Sequence, residues 1–181
     1  MLKDKTEKEQ QEHAEMLADC KNILEKNGVP AILSGSALLG AYRDGDLVPW
    51  CYGAVLSSYR NQLVENQEKI ISDLQDAGFK IVKHYVGYNY KIRADRGKFN
   101  IEILGYKRNK KYFYRQLSNK RKIVPKRFFK KPFGKIKIRG EEYKTPADIE
   151  GFLKFVYIDW KTPTRSNTPS EYKTRNHMVV E

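Results

Sequence analysis

The chain has 181 residues, 40% hydrophobic and 12% aromatic, which is enough for one domain with a core of its own. No run approaches the roughly 18 consecutive apolar residues of a membrane span, and Met1 to Gln11 is too charged for a secretory signal, so a cytoplasmic protein is expected. The formal charge is +13, but Lys107 to Arg139 holds 15 Lys/Arg and no Asp or Glu, which leaves 13 − 15 = −2 for everything else.

Met16, Leu17, Cys20, Ile23 and Leu24 recur at helical spacing, and Asn27-Gly28 supplies a stop. After Pro30, Ala31 to Leu33 reads as a short buried strand, and Ser34-Gly35-Ser36 opens a second helix through Leu38, Leu39 and Tyr42. A loop with Asp44-Gly45-Asp46 and Pro49-Trp50 leads to a strand over Cys51 to Leu56, after which Ser57-Ser58 can cap a helix. That helix is expected to run unbroken from Tyr59 to Ala77, closed by Gly78.

Phe79 to Val86, Tyr88 to Ala94 and Lys98 to Leu104 suit a meander of hairpins. In the last of these Phe99, Ile101 and Ile103 share one face, so Asn100 and Glu102 share the other. Within the basic stretch Phe133 to Ile138 alternates like a strand. Thr145-Pro146 then starts a helix striped by Ile149, Phe152, Leu153, Val156, Tyr157 and Trp160. Residues 1–165 read as one domain, and 166–181, polar and proline-punctuated, as a weakly ordered tail.

Several residues invite chemistry on their own terms. A glycine turn that opens a helix presents backbone N–H groups and the positive end of the helix dipole, so Gly35 and Ser36 are phosphate-binding candidates, and Arg43 could add a bidentate contact to the same anion. The competing reading makes Gly35 a tight turn and Arg43 a surface cation. Cys20 and Cys51 fit neither a disulfide framework nor a zinc motif, and Cys51 has no histidine near it in sequence to make it a nucleophile. His13, His84 and His177 lack metal-ligand spacing and read as incidental. The aromatics near the basic segment could stack bases, although strand composition accounts for most of them.

The stretch GVPAILSGSALLGAYRDGDLVPW, from Gly28 to Trp50, resembles the opening signature of the LicD/fukutin-related family. That signature runs from a strand through a Gly-Gly or Gly-Ser turn and a Leu-Leu-Gly-x-x-Arg helix to an Ile-Pro-Trp element. The matching positions are Gly35, Ser36, Leu38, Leu39, Gly40, Arg43, Pro49 and Trp50. Pro146, the helix through Tyr157, and Asp159-Trp160-Lys161-Thr162-Pro163 resemble the family's closing pattern. The resemblance implies an α/β (α+β) fold of nucleotidyltransferase, polymerase-beta-like type, with a mixed sheet flanked by helices. It implies transfer of a phosphorylated substituent, such as phosphocholine or a sugar phosphate, from a nucleotide to a glycan.

The departure follows at once. Family members continue Pro-Trp-Asp-Asp-Asp-Ile-Asp, whose alternate aspartates hold a divalent cation against the nucleotide phosphates, whereas here Cys51, Gly53 and Val55 occupy those positions. None of the three offers the hard oxygen that Mg²⁺ requires. Asp44 and Asp46 are weak substitutes with a ready alternative role in the turn, and Glu102 is a lone catalytic-carboxylate candidate on a later strand. The expected cofactor is therefore none, or weakly bound Mg²⁺.

Three functions stand open on these residues: a LicD-type phosphotransferase, a catalytically degenerate binding or partner subunit of polysaccharide assembly, and an RNA-binding module. Expected partners are a phosphorylated or nucleotide-linked small molecule at Gly35 and an anionic glycan or a membrane surface along Lys107 to Arg139, with a peripheral position at the inner membrane face, or RNA along the same segment.

Overall fold

The computed structural model describes residues 3–86, 89–117, 120–165 and 178–180. Helix α1 (Glu7–Lys26) begins with a capping box, in which Thr6 accepts from the Glu9 amide and Glu9 accepts from the Thr6 amide. It ends at Asn27, with Gly28 at φ +73°. Its inner face, including Met16, Leu17, Cys20 and Leu24, is fully buried. Strand β1 (Ile32–Ser34) leads directly into α2 (Gly35–Arg43), and β2 (Gly53–Tyr59) follows the loop.

Two boundaries differ from expectation here. The strand starts two residues later than Cys51 and runs on through Ser57 and Ser58, which are buried in it instead of capping a helix. The single helix expected over Tyr59 to Ala77 is two, α3 (Arg60–Glu65) and α4 (Gln67–Asp76). Asn66 breaks it: its backbone leaves helical geometry at φ −112°, ψ 11°, and its side-chain amide donates to the Gln62 carbonyl at 2.9 Å, the local competition that makes asparagine a poor helix-interior residue. The apolar face survives the break, since Leu63, Ile70 and Leu74 are all fully buried.

The remaining elements are β3 (Lys80–Tyr85), β4 (Tyr90–Arg96), β5 (Phe99–Arg108), β6 (Tyr112–Leu117), β7 (Lys120–Pro125), β8 (Gly134–Ile138), β9 (Glu141–Thr145), α5 (Ile149–Val156) and β10 (Met178–Val180). Helix α5 is capped by Asp148, whose carboxylate accepts from the Gly151 amide at 2.8 Å, while Thr145, expected to open the helix, closes β9. Trp160 lies beyond the helix and packs its ring against Tyr42. Of the segment read as a tail, residues 166–177 and 181 lie outside the described residues, and Met178–Val180 pairs antiparallel with β7.

One mixed sheet organises these parts, with the strand path β10-β7-β6-β5-β2-β1-β9-β8 and the meander β3-β4 joined to β5. Strands β2 and β5 are parallel at its centre, β1 is antiparallel to β2, and β4 is antiparallel to β5. Ala54 and Leu56 of β2, Ile101 and Ile103 of β5, and Ile92 and Ala94 of β4 share the buried face. Period-two alternation therefore leaves Gly53, Val55, Asn100, Glu102, Lys91 and Arg93 on the opposite face.

Candidate functional site

The turn from β1 into α2 is built around two glycines with separate duties. Gly35 sits at φ +63°, a conformation that favours glycine, and a Cβ there would lie 3.1 Å from Cγ2 of Val55. Gly40, one and a half turns on, lies against the backbone of the following loop, where a Cβ would meet the Asp46 carbonyl oxygen at 2.6 Å and the Val48 nitrogen at 2.7 Å. The Leu-Leu-Gly-x-x-Arg pattern thus has a packing reason: only glycine lets the loop fold back onto α2.

Ser34, at the N-cap of α2, makes no side-chain cap bond. Its hydroxyl is engaged across the strands, with Ser57 Oγ at 2.8 Å and the Val55 carbonyl at 3.3 Å. The capping side chain therefore does not compete for the first-turn amides, which suits the dipole end of α2 to an anion. Ser36 Oγ lies 3.0 Å from Cys51 Sγ, and both point to the Gly53 carbonyl, at 3.4 and 3.2 Å. Gly35, Ser36, Cys51, Gly53 and Val55 are thus brought together in one small area.

The strand register carries the carboxylate to the same place. Val55 pairs directly with Glu102, and Gly53 with Asn100, across the parallel β2–β5 ladder. Lys91 of β4 forms an ion pair with Glu102, both side chains being less than a third exposed. Arg93 stands opposite Glu102 in the β4–β5 register. Gly53 is also filled from the side: a Cβ there would lie 3.0 Å from Asn100 Oδ1.

The other sequence-predicted residues are engaged elsewhere. Arg43 folds back on its neighbour Asp44 in a bidentate pair, Nε–Oδ1 2.8 Å and Nη2–Oδ2 2.7 Å. Asp46 is clamped by Arg139, whose Nε and Nη2 reach its carboxylate at 3.0 and 2.7 Å, and Arg139 is bound on its other side by Glu7. These two acids hold the Arg139 guanidinium charged far above any accessible pH. Each candidate carboxylate, Asp44, Asp46 and Glu102, thus carries its own cation, and among the described residues no three His, Cys, Asp or Glu side chains converge as metal ligands. The residues present do not fit the divalent ion that the resemblance implies.

Sequence reading passed over two features. Lys91 was legible, since Gly97-Lys98 is a two-residue hairpin connection and pairing outward from it sets Arg93 against Glu102, with Lys91 one diagonal away. His13, read as incidental, is buried, stacks on Phe99 at 4.8 Å and hydrogen-bonds Lys5 Nζ through Nδ1 at 2.8 Å. Burial lowers Lys5 to about 8 and His13 to about 3, the neighbouring lysine adding to the second shift. Nothing in the polar residues around position 13 announces that this helix face is covered by the N-terminal segment, whose Lys5 amide donates to the Pro49 carbonyl at 2.9 Å.

The fold and the strand-turn-helix site define a nucleotidyltransferase-fold protein. The chain resembles the antibiotic-resistance factor ANT(2'')-Ia in its solution structure, with TM-score 0.55 and 10% identity over 76% of this chain and 66% of that one. It also resembles the crystal structure of ANT(2'')-Ia in complex with adenylyl-2''-tobramycin, with TM-score 0.52 and 10% identity over 75% of this chain and 69% of that one. At that identity the likeness concerns the fold alone, and this chain spans just under two thirds of the first neighbour's length. Residues 28–148 match the LicD/FKTN/FKRP nucleotidyltransferase domain, and the chain belongs to that family. No curated protein matches the chain by sequence. Among the described residues no helix is long and apolar enough to cross a membrane.

Proposed function

We propose that this protein is a LicD-family subunit of surface-glycan assembly that holds a phosphate or a nucleotide at Gly35 and Ser36 without carrying out metal-dependent transfer itself. The observation that carries this reading is the register of Val55 with Glu102, together with the lysine already seated on that carboxylate. Where an active centre needs two or three carboxylates converging on a cation, this chain offers one, neutralised from within by Lys91. A fixed internal ammonium supplies positive charge near the turn but no open coordination position. The anionic glycan or membrane surface expected along Lys107 to Arg139 belongs to the same reading, as does a peripheral place at the inner membrane face.

The test is calorimetry of a nucleoside diphosphate with and without Mg²⁺. Nucleotide binding that Mg²⁺ leaves unchanged and that Gly35→Asp removes is the expected result. The transferase reading wins instead if Mg²⁺ binds tightly once nucleotide is present and Glu102→Gln abolishes that binding, because a substrate phosphate would then have completed the depleted centre.

A further inference from the structure

The basic segment is not uniformly charged once folded. Arg139 is held by Asp46 and Glu7, Lys135 by Glu142, and Arg115 donates to the Asn89 carboxamide oxygen. Five of its other cations line a cavity of about 580 Å³ at the C-terminal ends of β2 and β5. Its floor is aromatic and buried, formed by Tyr106, Phe113 and Phe129, with Tyr59 and Tyr114 half-buried at its sides. Tyr59 is fixed in place, its hydroxyl donating to the Phe129 carbonyl at 2.7 Å and its ring stacking on Phe113 at 5.5 Å. Lys107, Arg108, Lys126, Lys130 and Lys131, with Asn61 and Gln62, complete the lining, and among the described residues no carboxylate joins them. Among the described residues Arg108, Lys126, Lys130 and Lys131 have no ion-pair partner.

We propose that this cavity is a second anion site, one that takes a nucleoside phosphate, its phosphates among Lys126, Lys130, Lys131 and Arg108 and its ring against Tyr59 and Tyr114. The volume lies within the range of small-ligand pockets and admits a nucleotide-sized molecule. Several cations with no opposing acid concentrate a polyvalent anion, and a rigid aromatic wall gives a planar ring a face to stack on. The site is distinct from the Gly35 turn: Val55 and Tyr59 are four residues apart on β2, about 13 Å at ~3.3 Å per residue. It is argued from its own lining, so it goes beyond the reading above and does not depend on it.

The experiment is a titration of the ¹⁵N-labelled full chain with ADP, adenosine and pyrophosphate, read amide by amide. Saturable shifts at Arg108, Phe129 and Lys130 are expected with ADP, with adenosine and pyrophosphate each at least tenfold weaker. Lys130→Glu combined with Lys131→Glu should weaken ADP at those amides at least tenfold; both side chains are exposed, so the fold should be unaffected, and any response at Gly35 and Ser36 should persist. Absence of shifts at the cavity, pyrophosphate binding as tightly as ADP, or indifference to the double charge reversal would each overturn the assignment. Displacement of ADP by a single-stranded RNA at equal phosphate concentration would make the face a polymer track and overturn it too. Failure of the Gly35 reading would show separately, as loss of the Gly35 and Ser36 responses alone.

Discussion

Replacing Val55 by Asp and Lys91 by Met should create a divalent-cation site that the parent chain lacks. The Lys91–Glu102 pair is worth about 1 kcal/mol net, since its members are 22% and 28% exposed and solvent offsets most of their attraction. Losing the half-buried valine methyls costs about 1–2 kcal/mol, and two carboxylates left facing one another across the β2–β5 ladder cost roughly 1 kcal/mol more. The metal-free variant should therefore melt roughly 5–15 °C below the parent, at ~2–4 °C per kcal/mol for a chain of this size. Mn²⁺ at about 100 times its dissociation constant returns about 2.7 kcal/mol, or roughly 5–10 °C. Thermal melts across a MnCl₂ series read this directly. A folded variant whose melting point ignores Mn²⁺ would refute the expectation that these two changes are enough to open the centre. A parent chain whose melting point climbs with Mn²⁺, and loses that response in Glu102→Gln, would refute the depleted-site argument altogether. Gly53→Asp is the less suitable restoration, because its side chain must first displace Asn100.

Four further outcomes follow from single contacts. Gly40→Ala should destabilise by about 2–4 kcal/mol, because its methyl would meet loop backbone at 2.6–2.7 Å and not a yielding side chain; urea melts measure it. Gly35→Ala should cost about 1–2 kcal/mol for its φ of +63° and its contact with Val55, and should weaken phosphate binding seen at the Ser36 amide. His13 keeps a folded pKa of about 3, well below the unfolded value, so the unfolded state takes up the proton first and stability falls as pH drops from 6.5 towards 3, by at most ~5 kcal/mol. His13→Phe should flatten that acid limb in pH-dependent melts while lowering stability at neutral pH, where Lys5 loses its acceptor. Lys5, lowered to about 8, acts in the opposite range, with stability rising as pH climbs from 8 towards 10.5.

The elements that sequence located best were those whose periodicity and terminators agree. Helix α1 has both an apolar stripe and Asn27-Gly28, and β5 has clean alternation from Phe99 to Ile103. What stayed hidden depended on residues whose local signal conflicts with their tertiary role. Asn66 looked like one polar residue in a long amphipathic helix until its own carboxamide ended the first half. Strand β6 opens on three consecutive aromatics and β7 on three consecutive cations, so neither shows alternation, and the cavity that Phe113 and Tyr114 help to form was legible only as charge beside aromatics. At the site, Gly35 and Ser36 could be placed from the turn chemistry, but the occupation of Glu102 by Lys91 required a pairing register.

The parallel ladder between β2 and β5 runs without interruption from the Gly53–Asn100 pair to the Tyr59–Tyr106 pair. A slip of β2 by one residue would turn Val55 into the core and expose Leu56, so the register cannot creep in small steps. If both proposed sites bind, the ladder fixes the spacing between them. A molecule that touches the α2 turn and the aromatic cavity at once must match that span in its own length. Selection between short and long ligands would then come from reach, with no lid or hinge needed to measure them.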